Sequence, residues 1–533
     1  MNNLDGYIHL QEKFKLWEFV LTQYNKETSI FGPPGTGKTT KLLQIIEDAI
    51  ADGIQPDRIA FLSFTRKAAQ EAIDRACVKF NLDPKYFPHF RTLHSLAFRW
   101  TGMKAENLVK PADMRFLGLK LGVKFNKEEK INIEDGDLYT PGSTDGDKYF
   151  HIMHLSRLKG TSLLKEFDAF NDTTLHRSYV TVVEKAYGDF KKAHDKIDFT
   201  DMLLNFLEMK TGPDLDLLIV DEAQDLSPIQ WRMIKECLLP NSKKAYYAGD
   251  DDQCIFNWAG ANVRDFLNAS EDKIILDKSY RVPKTIHEFA SNIISNVTFR
   301  QAKDWQPREE KGVLNFHFNI MDVDFRTGEW YILARTNRIL SEVSDKLKNE
   351  GYIFWREGSG WSVPQEIIDS IEVWVKLCKG KSVRVQELIT FSKKTKKDII
   401  VYGGKKQIEG LDYSHTYTLN DLLNSNLGQK LNLNKEMTWW DVIDVSEQQR
   451  IYITSALRRG ESILVGTPRI RISTIHRSKG GEADNVALLL ETPKIIQDKG
   501  NKDSEHRVFY VGATRAKKQL HVIESGIKSG YKI

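Results

Sequence analysis

Residues Gly32, Pro33, Pro34, Gly35, Thr36, Gly37, Lys38, Thr39 and Thr40 spell GPPGTGKTT, which fits the pattern G-x-x-x-x-G-K-[ST]. Glycines at these positions let backbone N–H groups curl round phosphate oxygens at a helix N-terminus. Lys38 then reaches the β- and γ-phosphates as a point charge, and the Thr39 hydroxyl ligates Mg²⁺. Further on, LDLLIVDEAQD delivers Asp221 and Glu222 at the end of a continuous apolar run. Asp221 there would hold Mg²⁺ through water, while Glu222 orients and deprotonates an attacking water. Together the two segments point to ATP hydrolysis. Two arginines could complete such a site: Arg281, beside Tyr280 in SYRVP, and Arg515, at an expected helix start in YVGATRAKK. A guanidinium brought to a γ-phosphate from a second domain contributes about 10³ to 10⁵ in rate. Read alone, both also suit a surface or packing role. The stretch GDDDQCIFNWAGA, Gly249 to Ala261, sets three carboxylates and Gln253 beside Phe256 and Trp258. A metal site, an acidic solvated loop and a switch between two ligands all fit it.

These residues need a scaffold that brings loop ends together. TSIF before the glycine-rich loop reads as a strand and KLLQIIEDAI after it as a helix. Short runs rich in Ile, Leu and Val (RIAFLSFT, LDLLIVDE, KAYYAGD, EWYILART, RIRISTI, NVALLL and QLHVIE) alternate with stretches of helical periodicity. That is the pattern of α/β domains with parallel sheets. The strands cluster before and after about Asp272. A long, mostly helical region containing the loop IEDGDLYTPGSTDGDKYF interrupts the first cluster, and a segment carrying KKTKK and GGKK interrupts the second. KKTKK could contact duplex phosphates or form a solvated loop. TWWDVI reads as a helix beginning at Thr438 with Trp439 and Trp440 in a small core.

At 533 residues the chain is too long for one ordinary core. Its 41% hydrophobic and 28% charged residues are those of a soluble globular protein. The N-terminus lacks the basic start and apolar core of a secretory signal, and no apolar run is long enough to span a bilayer, so a cytoplasmic protein without a membrane partner is expected. Cys77, Cys237, Cys254 and Cys378 are scattered without a zinc-like pairing, as free thiols in a reducing compartment would be. A net charge of +4 over this length argues neither for nor against nucleic acid.

In order along the chain, GPPGTGKT, FLSFTRKAA, TLHSLAFR, IDFTDML, LLIVDEAQD, GDDDQCIFNWAGA, LDKSYRVP, ILARTNR, ISTIHRSKGGEADNV and RVFYVGATRA resemble the motifs of superfamily 1 DNA helicases of the UvrD/Rep/PcrA type. The resemblance covers nearly the whole chain. It implies two RecA-like parallel-sheet domains, each interrupted by a mainly helical insertion. Domain 1A would take residues 1–100 and 195–272 with insertion 1B at 101–194, and domain 2A residues 273–378 and 463–533 with insertion 2B at 379–462. By the same resemblance Gln253 senses the γ-phosphate, Tyr280 stacks on adenine, Arg281 and Arg515 face the γ-phosphate, Glu482 faces the ribose and Gln11 reads adenine. Phe64, Thr65, Thr92, His94, Trp258, Arg335, Asn337, Thr474 and His476 fall at positions lining single-stranded DNA. Stacking of one base on Trp258 would contribute about 1–3 kcal/mol without reading sequence.

The implied function is an ATP- and Mg²⁺-dependent DNA helicase and translocase that moves 3′ to 5′ on single strands, acting on single-strand/duplex junctions in replication or repair. Two other readings remain: a translocase that mainly displaces proteins, and a nucleotide-dependent DNA-binding or loading factor. The chain departs from the family pattern in three ways. Ala259 stands where an Arg usually follows the motif Trp, so one contact coupling DNA to the ATP site is expected to be missing. Insertion 2B is short, so regulation by its rotation is expected to be reduced. The chain also ends soon after QLHVIES, so a C-terminal nuclease is not expected.

Overall fold

The computed structural model describes residues 26–125, 144–461, 468–493, 502–524 and 530–532. Gln11 and most of the loop IEDGDLYTPGSTDGDKYF lie outside them, and the end of that loop is already helical, in Asp145–Lys159. The chain divides into two compact units, Met1–Lys311 with Gly500–Thr514, and Gly312–Lys499 with Arg515–Ile533.

In the first unit six strands form one parallel sheet, in the order His89–Thr92, Ile59–Ser63, Leu215–Asp221, Ser242–Gly249, Glu27–Phe31, Asp272–Ile275. Every residue of Ile59–Ser63 and of Leu215–Asp221 is buried. Their sequences accordingly read as continuous apolar runs, because a parallel sheet is covered on both faces. The helix Lys38–Ala51 buries Leu42, Leu43, Ile46 and Ala49, one stripe at helical spacing, against Ile30, Phe61 and Ile219 of the sheet. A separate core of helices, with Ile152, Val180, Val183 and Tyr187 at its centre, lies between the strands His89–Thr92 and Leu215–Asp221 in the chain.

The second unit holds a seven-stranded sheet in the order Gly360–Trp361, Trp355–Arg356, Ile470–Thr474, Trp330–Ala334, Ala483–Leu489, Ala516–Ile523, Val313–His317. It is parallel except for the hairpin of its first two strands. Its insertion has its own apolar core, which contains Trp374, Phe391 and Trp439 and takes in the helix Gln365–Cys378. The helix Trp439–Val442 begins after Thr438, whose side chain closes a capping box with Asp441, as TWWDVI leads one to expect. Trp439 is buried and Trp440 packs against the same core. The fold is thus α/β with two parallel-sheet cores and mainly helical insertions. Among the described residues no helix is long and apolar enough to cross a membrane.

Candidate nucleotide and nucleic-acid site

The carboxyl ends of parallel strands are where α/β sheets bind ligands. In the first unit five neighbouring strands lead into expected site residues: Thr92, then Phe64 and Thr65, then Asp221 and Glu222, then the acidic turn that carries Gln253, then the glycine-rich loop. Phosphate chemistry falls at one end of this row and the expected DNA contacts at the other.

The loop is built against its neighbours. Gly32 N–H donates to Gly249 O at 2.9 Å. A Cβ on Gly32 would overlap the Lys38 side chain, whose Nζ donates to Gly32 O at 2.8 Å. Gly37, at φ 78°, is the N-cap of Lys38–Ala51, so Lys38, the half-buried Thr39 and the exposed Thr40 form the first turn, at the positive end of the helix dipole. Thr36 Oγ1 donates to Pro33 O at 2.9 Å and closes the turn. The strand Lys278–Pro283 docks on the loop: Tyr280 N–H donates to Gly35 O at 2.8 Å and Ser279 Oγ to Pro34 O at 2.7 Å. Arg281 is held beside Gly35, and the Tyr280 ring is 70% exposed, open to a flat ligand.

Asp221 is buried at its strand end, and Glu222 turns the chain sharply with φ 53°. Glu222 N–H donates to Asp221 Oδ1 at 2.9 Å. Gln224, which had no assigned role in the sequence reading, connects this pair to the next strand end. Its Nε2 donates to Glu222 Oε2 at 2.6 Å and its Oε1 accepts Asp250 N–H at 3.0 Å. A Cβ on Gly249 would overlap Gln224 Oε1, so this glycine gives the amide its room. Gln253 Nε2 donates to Asp250 Oδ2 at 2.7 Å. The three carboxylates of the acidic run are buried and close enough together for a cation, and the side chain of Lys303 is paired with all of them.

At the other end of the row Phe64 lies 5.6 Å from Phe256, with an interplanar angle of 23°, and Phe256 lies 6.1 Å from Trp258. Phe256 is the buried link between two half-exposed rings. Thr65 and Thr92 are helix N-caps, accepting N–H from Ala68 and Ser95, each at 3.2 Å. His94 sits edge-on to Phe199, and burial pushes its pKa down to about 4, so its imidazole is neutral near pH 7.

In the second unit Arg335 and Asn337 follow Trp330–Ala334, while Thr474 and His476 end and follow the adjacent Ile470–Thr474. Ala334 is in register with Thr474 and accepts Ile475 N–H at 2.9 Å, so the four residues share one sheet edge. Glu482 and Arg515 lie at the opposite edge, before the paired strands Ala483–Leu489 and Ala516–Ile523. Arg515 is buried and donates to Gly481 O at 3.2 Å, and the Glu482 carboxylate lies 3.8 Å from Lys517 Nζ. Contrary to the expectation from sequence, Arg515 does not start a helix: the helix Lys502–Ala513 ends before it and a strand follows. The buried apolar residues of YVGA belong to the last turns of that helix, which the sequence alone does not separate from a helix beginning.

Comparison with known proteins agrees with this architecture. Residues 14–274 match the family model of the UvrD/REP helicase N-terminal domain, and residues 385–526 that of the UvrD-like helicase C-terminal domain. The chain belongs to the UvrD/Rep/PcrA-type superfamily 1 helicases. It is 30% identical over 329 residues to a probable DNA helicase II homolog of Rickettsia conorii, a match covering 57% of this chain and 48% of that protein. A probable DNA helicase II homolog of Mycoplasma pneumoniae is 24% identical over 635 residues, covering 96% of this chain and 85% of the relative. The ATP-dependent DNA helicase srs2 of Schizosaccharomyces pombe is 23% identical over 640 residues, covering 93% and 70%. The chain thus spans about half the length of the first of these relatives and most of the other two.

Proposed function

We propose that this chain is an ATP-dependent DNA helicase and translocase that moves 3′ to 5′ on single strands. The observation that carries the reading is the row of strand ends in the first unit, where a phosphate loop, an acid pair and an aromatic track follow one another on one sheet edge. In this reading Lys38 and the N–H groups of Gly35 and of Gly37 to Thr40 hold the triphosphate, Tyr280 stacks on the base, and Glu222 takes the proton of the attacking water. Gln224 orients that carboxylate through the hydrogen bond to its Oε2. Arg281, docked beside the loop, meets the γ-phosphate charge, and the resemblance assigns Arg515 and Glu482 of the second unit to γ-phosphate and ribose. A buried carboxylate at Asp221 and a hydroxyl at Thr39 are hard oxygen donors and fit Mg²⁺. When bound, that ion neutralises charge on the phosphates. Phe64, Thr65, Thr92, His94 and Trp258 in one unit, and Arg335, Asn337, Thr474 and His476 in the other, line the single strand. The units divide, in the family plan, into 1A, 1B, 2A and a short 2B.

The test is ATP hydrolysis with and without single-stranded DNA. Stimulation by DNA in the wild type, loss of hydrolysis in Lys38→Ala and a fall of about 10² to 10⁴ in kcat for Glu222→Gln with nucleotide binding kept are expected. Hydrolysis indifferent to DNA would overturn the reading. A second reading, displacement of proteins from single strands with poor duplex separation, draws support from length. The match to the Mycoplasma protein runs over 635 residues against 533 in this whole chain, so that relative carries stretches without counterpart here. Efficient removal of a bound protein block with weak unwinding would favour it.

A further inference from the structure

The acidic run before Gln253 is held by a buried cation that no helicase motif in the sequence contains. Lys303 Nζ lies 3.1 Å from Asp250 Oδ1 and 2.9 Å from Asp252 Oδ2, and is also paired with Asp251; its side chain is 0% exposed. Arg300 forks onto Asp252, Nε to Oδ1 at 2.8 Å and Nη2 to Oδ2 at 2.6 Å. Gln301 N–H donates to the remaining face of Asp251 at 2.8 Å. From the helix Lys502–Ala513, Arg507 Nε donates to Asp251 O at 2.9 Å and its Nη2 to Phe299 O at 2.6 Å, tying the two segments together. All of these residues belong to the first unit.

Three adjacent carboxylates at 0% exposure repel one another and each costs several kcal/mol to desolvate, so without buried cations the loop would protonate or open. Burial first, and then the charges of Asp252 and Asp250, push the Asp251 carboxyl up to about 6 against the pull of Lys303, and Lys303 itself is held above the usual lysine range. The loop's own bonds depend on that charge. Asp250 accepts Asp252 N–H at 3.2 Å with Oδ1 and Gln253 Nε2 at 2.7 Å with Oδ2, so the oxygen that Lys303 faces belongs to the same carboxylate that orients the Gln253 amide. Asp250 N–H in turn donates to Gln224, which holds Glu222.

We infer that Lys303 is a positioning residue for Gln253: acting through Asp250, it fixes the amide that meets the nucleotide and, through the same loop, the Phe256–Trp258 pair. The inference rests on the proposed ATP-driven function for its consequence and on the loop geometry for its substance, and the two are tested separately. Gln253 is the end of the lever that the nucleotide moves, and Lys303 is its fixed anchor.

The experiment combines hydrogen exchange with steady-state ATPase on the full chain, comparing wild type, Lys303→Met, Lys303→Arg and Lys303→Met with Asp251→Asn. In Lys303→Met the amides of Asp252, Gln253 and Cys254, bonded to Asp250 and Asp251, are expected to exchange at least tenfold faster, while those of Leu215–Asp221 stay protected. Binding of a fluorescent ATP analogue stays within about threefold, and DNA stimulation of kcat falls at least tenfold. Lys303→Arg restores much of both. The double variant, with one carboxylate fewer to neutralise, recovers part of the protection even if Lys303→Met is too unstable to purify. Unchanged exchange at these three amides in Lys303→Met, or in the double variant where Lys303→Met cannot be purified, overturns the inference. So does restored or unimpaired DNA stimulation in Lys303→Met, which would make the lysine a stability element only. If wild type shows no DNA-stimulated hydrolysis, the proposed function fails, and the exchange result alone decides the anchoring.

Discussion

Gly35 is the residue at which the phosphate loop is clamped by the strand Lys278–Pro283. It sits at φ 74°, in the left-handed region, and a Cβ there would overlap Arg281 Cβ and lie 3.0 Å from Ser279 Oγ. The backbone penalty alone is about 1–2 kcal/mol, and the overlap would push the Tyr280–Arg281 strand off the loop. Gly35→Ala should therefore weaken binding of a fluorescent ATP analogue at least about tenfold, whereas equal affinity would show that loop and strand are not clamped. A second residue-scale expectation concerns acid stability. Burial lowers the pKa of His154, hydrogen-bonded to Thr200 at 2.9 Å, from 6.5 to about 3. Between those values the unfolded chain binds the proton and the folded one does not, so stability is lost as pH falls below about 6.5. Asp251 works in the opposite sense between 3.8 and about 6, since its folded pKa is raised. His154→Gln should make the rise of unfolding free energy with pH over this window shallower, by up to about 1.4 kcal/mol per pH unit. Denaturant titrations at pH 4 to 7 measure it, and an unchanged slope contradicts the neutral, buried assignment.

At the scale of elements, the strands that position the chemistry were the most legible. LDLLIVDE, RIAFLSFT and KAYYAGD are apolar because both faces of a parallel sheet are covered, and their ends carry the acids and aromatics. His89–Thr92, Asp272–Ile275 and Val313–His317 escaped the reading because they are short and partly or wholly exposed, so they leave no apolar run. Lys278–Pro283 escaped because it holds a proline and, among the described residues, pairs with a strand of three residues. Gln224 and Lys303 were illegible for another reason: their partners stand 26 to 53 positions away or in a turn without periodicity. The aromatic track belongs to this scale too. Phe256 is buried between Phe64 and Trp258, so it works by holding the two loops together rather than by meeting a base. Trp258→Ala should reduce single-strand affinity by about 1–3 kcal/mol while leaving DNA-independent hydrolysis intact. Phe256→Ala should do the same and also lower the melting temperature, since it opens a cavity worth about 3–5 kcal/mol. Fluorescence anisotropy on a labelled oligonucleotide separates the two, and wild-type affinity in both variants would remove the track from the account.

For the whole molecule, the two parallel sheets and their helical insertions followed from the order of apolar runs, and family membership from ten short motifs in sequence. The second insertion has a complete apolar core built around Trp374, Phe391 and Trp439, so its small size is that of a folded element. Where its core begins was not legible, because the helix Gln365–Cys378 carries the same apolar spacing whichever core it joins. The proposed function makes a claim that involves every unit at once: hydrolysis drives directional movement along one strand. Unwinding of a duplex carrying either a 3′ or a 5′ single-stranded tail, with Glu222→Gln as the hydrolysis-deficient control, tests it most directly. ATP-dependent strand separation from the 3′ tail, absent in the variant, is the predicted result, and separation from the 5′ tail alone, or equal separation by the variant, would contradict it.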